Sequence, residues 1–165
     1  ITSMEGHYPQ TEQYLTCMLY SDYALKELLT ELKKYKEPVI VAMFGDHQPA
    51  VEEEFYEELY GVNDLDDLTD EELSKRYITP FMIWANYDIK EATNVKTSPS
   101  FLSNLIMETA KLPKSRVQLY LDDLQEDVAQ LNPLGYRDKE GIWHKHEDCE
   151  ELEHYYNIQC NQLLV

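Results

Sequence analysis

Val39-Ile40-Val41-Ala42-Met43-Phe44-Gly45-Asp46-His47-Gln48-Pro49 is the stretch whose reading decides the fold. Its first six residues are an unbroken apolar run of strand length, rich in β-branched side chains, and Gly45 ends it. Such a run predicts a strand buried on both faces of a sheet. Phe81-Met82-Ile83-Trp84-Ala85, introduced by Thr79-Pro80, is a second run of the same kind. Upstream, Ala24, Leu25, Leu28, Leu29, Leu32 and Tyr35 recur at three and four residues. That spacing predicts an amphipathic helix from Ser21, with Ser21 or Asp22 as its N-cap. Lys33, Lys34 and Lys36 complement the negative end of its dipole, and Pro38 prevents continuation. Helix and strand in alternation predict an α/β fold with parallel pairing.

Working outward, residues 51 to 76 carry Glu52, Glu53, Glu54, Glu57, Glu58, Asp64, Asp66, Asp67, Asp70, Glu71 and Glu72. Phe55, Leu59 and Tyr60 give this segment one apolar side, and Gly61 and Asn63 divide it into two short helices with a solvated acidic face. Ser98-Pro99 pairs a cap with a first-turn proline and opens a helix through Phe101, Leu102, Leu105, Ile106 and Ala110 to Leu112-Pro113. Ser115 caps the next, which buries Val117, Leu121, Leu124 and Val128. After Asn132-Pro133 the chain is extended, turns at Asp138-Lys139-Glu140-Gly141, and closes in a helix from about Glu147. Two or three strands are fewer than the five or six of an ordinary sheet, so further strands are expected from chain outside these residues. Ile1-Thr2-Ser3-Met4 agrees, reading as the end of a strand cut from something longer.

The length of 165 residues suits one domain or part of a larger one. Fourteen Lys and Arg against 32 Asp and Glu leave a net charge of −18. That balance argues against nucleic-acid binding, and a phosphate substrate would need a local cation. No apolar run approaches the roughly 18 residues of a membrane span, and no signal peptide opens the chain. Three cysteines, Cys17, Cys149 and Cys160, form no CxxC pair and imply no disulfide framework.

Asp46 and His47 stand at the carboxyl end of the first strand, where ligands bind in open α/β sheets. A carboxylate oxygen and a neutral imidazole nitrogen together suit zinc, manganese or iron. Adjacent residues on a regular strand point to opposite faces, so joint coordination needs the turn that Gly45 and Pro49 permit. The plainer alternative makes Asp46 a cap for whatever begins near Pro49 and His47 a loop histidine. His144, His146, Cys149, His154 and Cys160 form a second group of potential ligands, but their spacing matches no standard zinc pattern. A polar segment with a partly buried cysteine accounts for them better. Tyr20, Tyr23, Tyr56, Tyr60, Tyr155 and Tyr156 fall mostly on helices and read as covering residues. No glycine-rich phosphate loop, GxSxG or HExxH occurs.

At several separated places the chain resembles the lipoteichoic acid synthase and phosphoglycerol transferase group of the sulfatase/alkaline phosphatase superfamily. Phe44-Gly45-Asp46-His47-Gln48-Pro49 is similar to that family's strand-end Gly-Asp-His element. Thr2-Ser3-Met4-Glu5-Gly6-His7-Tyr8-Pro9 is similar to the segment whose histidine meets the substrate head group, and residues 76–86 to the next core strand. Thr97 to Pro113 resembles the helix that follows, and Leu134-Gly135-Tyr136-Arg137-Asp138 with the closing helix resembles the tail.

The resemblance implies that residues 1–165 are the C-terminal part of a sulfatase-like catalytic domain, an alkaline-phosphatase-like sandwich with a mostly parallel sheet and flanking helices. It implies Asp46 and His47 as ligands of one divalent cation, Mn²⁺ favoured, with Mg²⁺ or Zn²⁺ as alternatives, and His7 as a substrate-binding residue. The threonine nucleophile and an acidic ligand come from upstream in such enzymes, and no threonine here takes that role. The activity implied is phosphoglycerol transfer from a glycerophospholipid or to a glycerophosphate polymer in cell-envelope synthesis, on the extracytoplasmic face of a bacterial membrane. A fragment of this extent, without its upstream half, is expected to be inactive alone. Sulfatase or phosphodiesterase activity of the same superfamily is one alternative, and a non-catalytic acidic interaction domain is another.

Overall fold

The first helix in the computed structural model, which describes residues 6–163, starts at Pro9, whose fixed φ and missing N–H suit a first helical position. This helix, α1, spans Pro9–Leu32, 24 residues. Ser21 does not cap it: Ser21 and Thr16 both lie inside and donate their hydroxyls back to the carbonyls of Cys17 and Glu12. The start precedes the predicted one because the cap is not local. Tyr8 offers no capping hydrogen bond, and the Glu52 carboxylate instead accepts the backbone N–H groups of Gln10 at 2.6 Å and Thr11 at 3.0 Å. Two orphan donors of the first turn are thereby satisfied, and a negative charge sits at the positive end of the dipole. The reading of Ile1 to Met4 as a strand end lies outside the described residues.

The two apolar runs become β1 (Ile40–Phe44) and β2 (Phe81–Ala85). They pair with each other, but antiparallel, with Ile40 opposite Ala85 and Phe44 opposite Phe81, which corrects the expected parallel pairing. A parallel partner would need a crossover running the length of the strand. The connection here returns to the end it left, because Gly45 N–H donates to Pro80 O at 3.0 Å. Between them lie α2 (Glu53–Tyr60) and α3 (Asp70–Leu73) with single 3₁₀ turns, elements too short to span the sheet and come back. Burial on both faces also fails, since Met43 is 38% and Phe44 53% exposed. With one partner apiece among the described residues, neither strand is enclosed. At the far end Asn86 closes the α1–β1 turn: its side-chain oxygen accepts Val39 N–H, and its amide donates to the carbonyls of Tyr35 and Glu37.

These elements make up one compact unit, Ile1–Asp88, and a second comprises Ile89–Val165. In the second, α4 (Pro99–Thr109), α5 (Arg116–Gln125) and α6 (Glu150–Leu163) accompany a three-stranded antiparallel sheet of β3 (Gln130–Asn132), β4 (Gly135–Arg137) and β5 (Trp143–His144). Ser115 caps α5 as expected, and Gln118 completes a capping box with it. Ser98 is the N-cap residue of α4, yet its hydroxyl makes no cap bond and accepts Leu131 N–H instead. Phe101, Leu121, Leu124, Val128, Tyr136, Leu152 and Tyr155 form one core. Asn104, 2% exposed, ties α4 to α5 by donating to Gln118 O and to the Asp122 carboxylate, which also takes Lys114 through both oxygens at 2.8 Å. The chain is thus mixed α/β, as expected, and every described strand pair is antiparallel.

Candidate functional site

Gly45 is a glycine because the backbone there passes too close to the start of β2 for a side chain: an added Cβ would lie 2.9 Å from Thr79 Cβ. The chain turns at once, and the loop 45–49 carries Asp46 and His47 out into solvent, with side-chain exposures of 82% and 77%. The turn brings the two side chains together, as joint coordination requires. Asp46 Oδ1 accepts His47 N–H at 2.9 Å, and Asp46 Oδ2 lies 3.5 Å from His47 Nε2. His47 Nδ1 is 2.8 Å from Gln48 O. A carbonyl can only accept, so Nδ1 carries a proton, and in the neutral ring Nε2 is the nitrogen left with a lone pair.

This donor set fits a divalent cation. Two atoms bound to one ion at about 2.1 Å stand about 3.0–3.4 Å apart in octahedral or tetrahedral geometry, close to the observed spacing. The backbone carbonyl behind the imidazole fixes its tautomer, as metal-bound histidines commonly require. Asp46 and His47 could supply two ligands, and among the described residues no group of three or more His, Cys, Asp or Glu side chains converges.

The far side of the loop is held from α2. Tyr56, 3% exposed, donates its hydroxyl to Pro49 O at 2.7 Å, and the Arg76 guanidinium lies 4.5 Å over its ring. Burial raises the Tyr56 pKa, with the nearby Arg76 acting against it, so the phenol stays a donor through the physiological range. A cleft of about 210 Å³ beside the loop is lined by Gln48, Pro49, Val51, Thr11, Tyr14 and neighbouring apolar residues. That is below the usual size of an enclosed ligand pocket, about 300 Å³ or more.

Glu52 links this loop to the segment holding His7. Desolvation pushes its pKa up, but hydrogen bonds from Gln10 N–H, its own N–H and both donors of Thr11 outweigh that and hold it below the ordinary 4.5. A depressed carboxylate stabilises the fold fully above its unfolded value and loses the contribution as pH falls through the folded one. The Gln10 and Thr11 amide resonances are therefore expected to titrate together with a midpoint below 4.5 in an NMR pH series. In Glu52→Gln this titration vanishes, whereas a midpoint at or above 4.5 would contradict the clasp.

His7 itself is exposed, with its ring edge-on to Tyr8 at 5.0 Å. Tyr8 donates to Glu58 on α2. No described hydrogen bond or ring contact joins His7 to Asp46 or His47. In the second unit, His144 Nε2 pairs with Asp138 at 2.8 Å and stacks on Tyr136, His146 Nε2 bonds Asn132 O, and Cys149 bonds Glu151. His144 is thus engaged within the β4–β5 hairpin, His146 reaches back to β3, and Cys149 is held at the start of α6. Sequence reasoning missed the supporting residues Glu52, Tyr56 and Thr79. Thr79 was visible only as punctuation before a strand, and nothing local marks the other two.

Compared with known proteins, residues 2–112 match the family model described as Sulfatase. That span contains His7, Asp46, His47 and both strands of the first sheet. No curated protein and no solved structure matches the chain.

Proposed function

Because the chain belongs to the sulfatase family, whose wider superfamily includes the alkaline phosphatases, we propose that it is the C-terminal part of a metal-dependent phosphoglycerol transferase catalytic domain. Enzymes of this superfamily generally use a divalent metal. The observation that carries the reading is the outward-facing Asp46–His47 pair, with donor atoms 3.5 Å apart at the carboxyl end of β1. It is supported by the resemblance of residues 2–9, 44–49 and 76–86, in that order along the chain, to phosphoglycerol transferases.

A bound divalent cation, Mn²⁺ for a site with a histidine ligand, supplies Lewis acidity at the phosphoryl group and offsets its charge. Asp46 contributes the anionic ligand and His47 the neutral one, oriented by Gln48 O. His7, exposed beside the start of α1, contacts the glycerophosphate head group. The nucleophile and the remaining ligands are supplied by the upstream half of the domain, which is this chain's first partner. A cation at Asp46 and His47 also answers the −18 charge, since it gives a phosphate ester a local attraction that the rest of the surface lacks. Among the described residues no helix is long and apolar enough to cross a membrane.

Full-length protein stripped with a chelator is expected to lose transfer of glycerophosphate from a phosphatidylglycerol-type donor, and added Mn²⁺ is expected to restore it. Metal-dependent cleavage of an aryl sulfate without glycerophosphate transfer would instead identify a sulfatase. Activity indifferent to chelation and re-addition would overturn the metal reading.

A further inference from the structure

Asp46 and His47 make their described hydrogen bonds only to each other and to Gln48, so no other element directly orients them. Their placement rests on the residues on either side. Both flanks are fastened to the same three residues before β2. Gly45 N–H donates to Pro80 O at 3.0 Å, Thr79 Oγ1 donates to Gly45 O at 2.7 Å, and Gln48 Nε2 donates to Ile78 O. Thr79 also fills the space that a side chain at Gly45 would take. The loop is therefore clamped at residues 45 and 48, with the two candidate ligands on the span between the clamps. Gln48 acts twice, since its backbone oxygen fixes the His47 tautomer while its side chain holds the backbone that carries this oxygen.

We propose that Thr79 and Gln48 are positioning residues for the Asp46–His47 ligand pair, holding it in chelating geometry through the 78–80 segment. The inference rests on the metal-site reading of the previous subsection. Partners one step removed from a metal typically alter its affinity by about 10- to 100-fold. Thr79→Val preserves shape and removes the hydroxyl, and Gln48→Met preserves length and removes the donor. Thr79→Ser restores the hydroxyl.

The test is Mn²⁺ affinity of the full-length protein, read from the electron paramagnetic resonance signal of free Mn²⁺, with thermal melting followed alongside. Thr79→Val and Gln48→Met are each expected to weaken Mn²⁺ binding by about 10- to 100-fold, with Thr79→Ser within a few-fold of the parent. Unchanged affinity with a lowered melting temperature would show that both residues serve the fold alone and would overturn the proposal. So would an equal loss in Thr79→Val and Thr79→Ser. Asp46→Ala separates the two levels of inference. If it leaves Mn²⁺ binding intact, the metal site itself is misassigned; if it abolishes binding while Thr79→Val and Gln48→Met bind normally, only the clamp fails.

Discussion

Asp46→Ala is expected to abolish metal-dependent turnover in the full-length protein while leaving its fold nearly unchanged. The two halves of that expectation have different physical sources. Asp46 is the anionic member of the proposed ligand pair, and charge stabilisation by a bound cation contributes several kcal/mol to such reactions. Taken as about 4–6 kcal/mol, its removal lowers the rate by about three to four orders of magnitude. Stability responds differently, because the side chain is 82% exposed and exposed substitutions usually change stability by no more than about 0.5 kcal/mol. The only described hydrogen bond it loses is the acceptor for His47 N–H, a group that water can serve. Turnover with saturating Mn²⁺ and a thermal melt check both halves. Full activity would remove Asp46 from the site, whereas a collapsed melt would make the residue structural.

Phe101→Ala has the largest expected effect on stability. Phe101 is fully buried at 0% exposure, in a core shared by α4, α5, α6 and the β4 strand. Truncating a buried phenylalanine costs about 3–5 kcal/mol through lost transfer energy and the cavity left behind, which is comparable to the whole stability of a modest domain. The second unit is therefore expected to lose its cooperative melt, with protease-sensitive sites appearing after residue 89. Phe101→Leu, which retains much of the volume, should recover most of the loss. A destabilisation below about 1 kcal/mol for Phe101→Ala would mean that this core does not hold the unit together.

The elements most legible from sequence are those whose signals are local. Ser115 caps α5, which begins at the next residue as expected, and Gln118 completes a capping box within four residues. Gly61 ends α2 in the left-handed conformation, φ 71°, as its place after Tyr60 suggests. The strand end before Asp46 and His47 is legible because a glycine after an apolar run marks it, and the structure does turn there. What escaped depends on partners far along the chain. The start of α1 is set by Glu52, roughly 40 residues on, so the periodicity that begins near Ser21 marks only where the helix becomes amphipathic. Strand direction escaped for a similar reason. An apolar run looks the same whichever way its neighbour runs, and here the choice is made by the Gly45–Pro80 hydrogen bond. The exposure of Phe44 likewise reflects how many strands flank β1, a quantity its own residues do not encode.

That same hydrogen bond gives the connection between the strands an evolutionary freedom. A segment that departs and re-enters the sheet at one point behaves as an inserted module, whose ends are fixed and whose anchors are Glu52, Tyr56, Glu58 and Arg76. Doubling the length of such a loop costs only about 0.6 kcal/mol in closure entropy, so the stretch between those anchors can be lengthened or shortened without altering the register of β1 on β2. Asp46, His47, Gln48 and Thr79 all lie at the two ends of the module. Changes within the module would alter the acidic, aromatic surface beside Asp46 and His47 without moving the two ends of the loop that carry them.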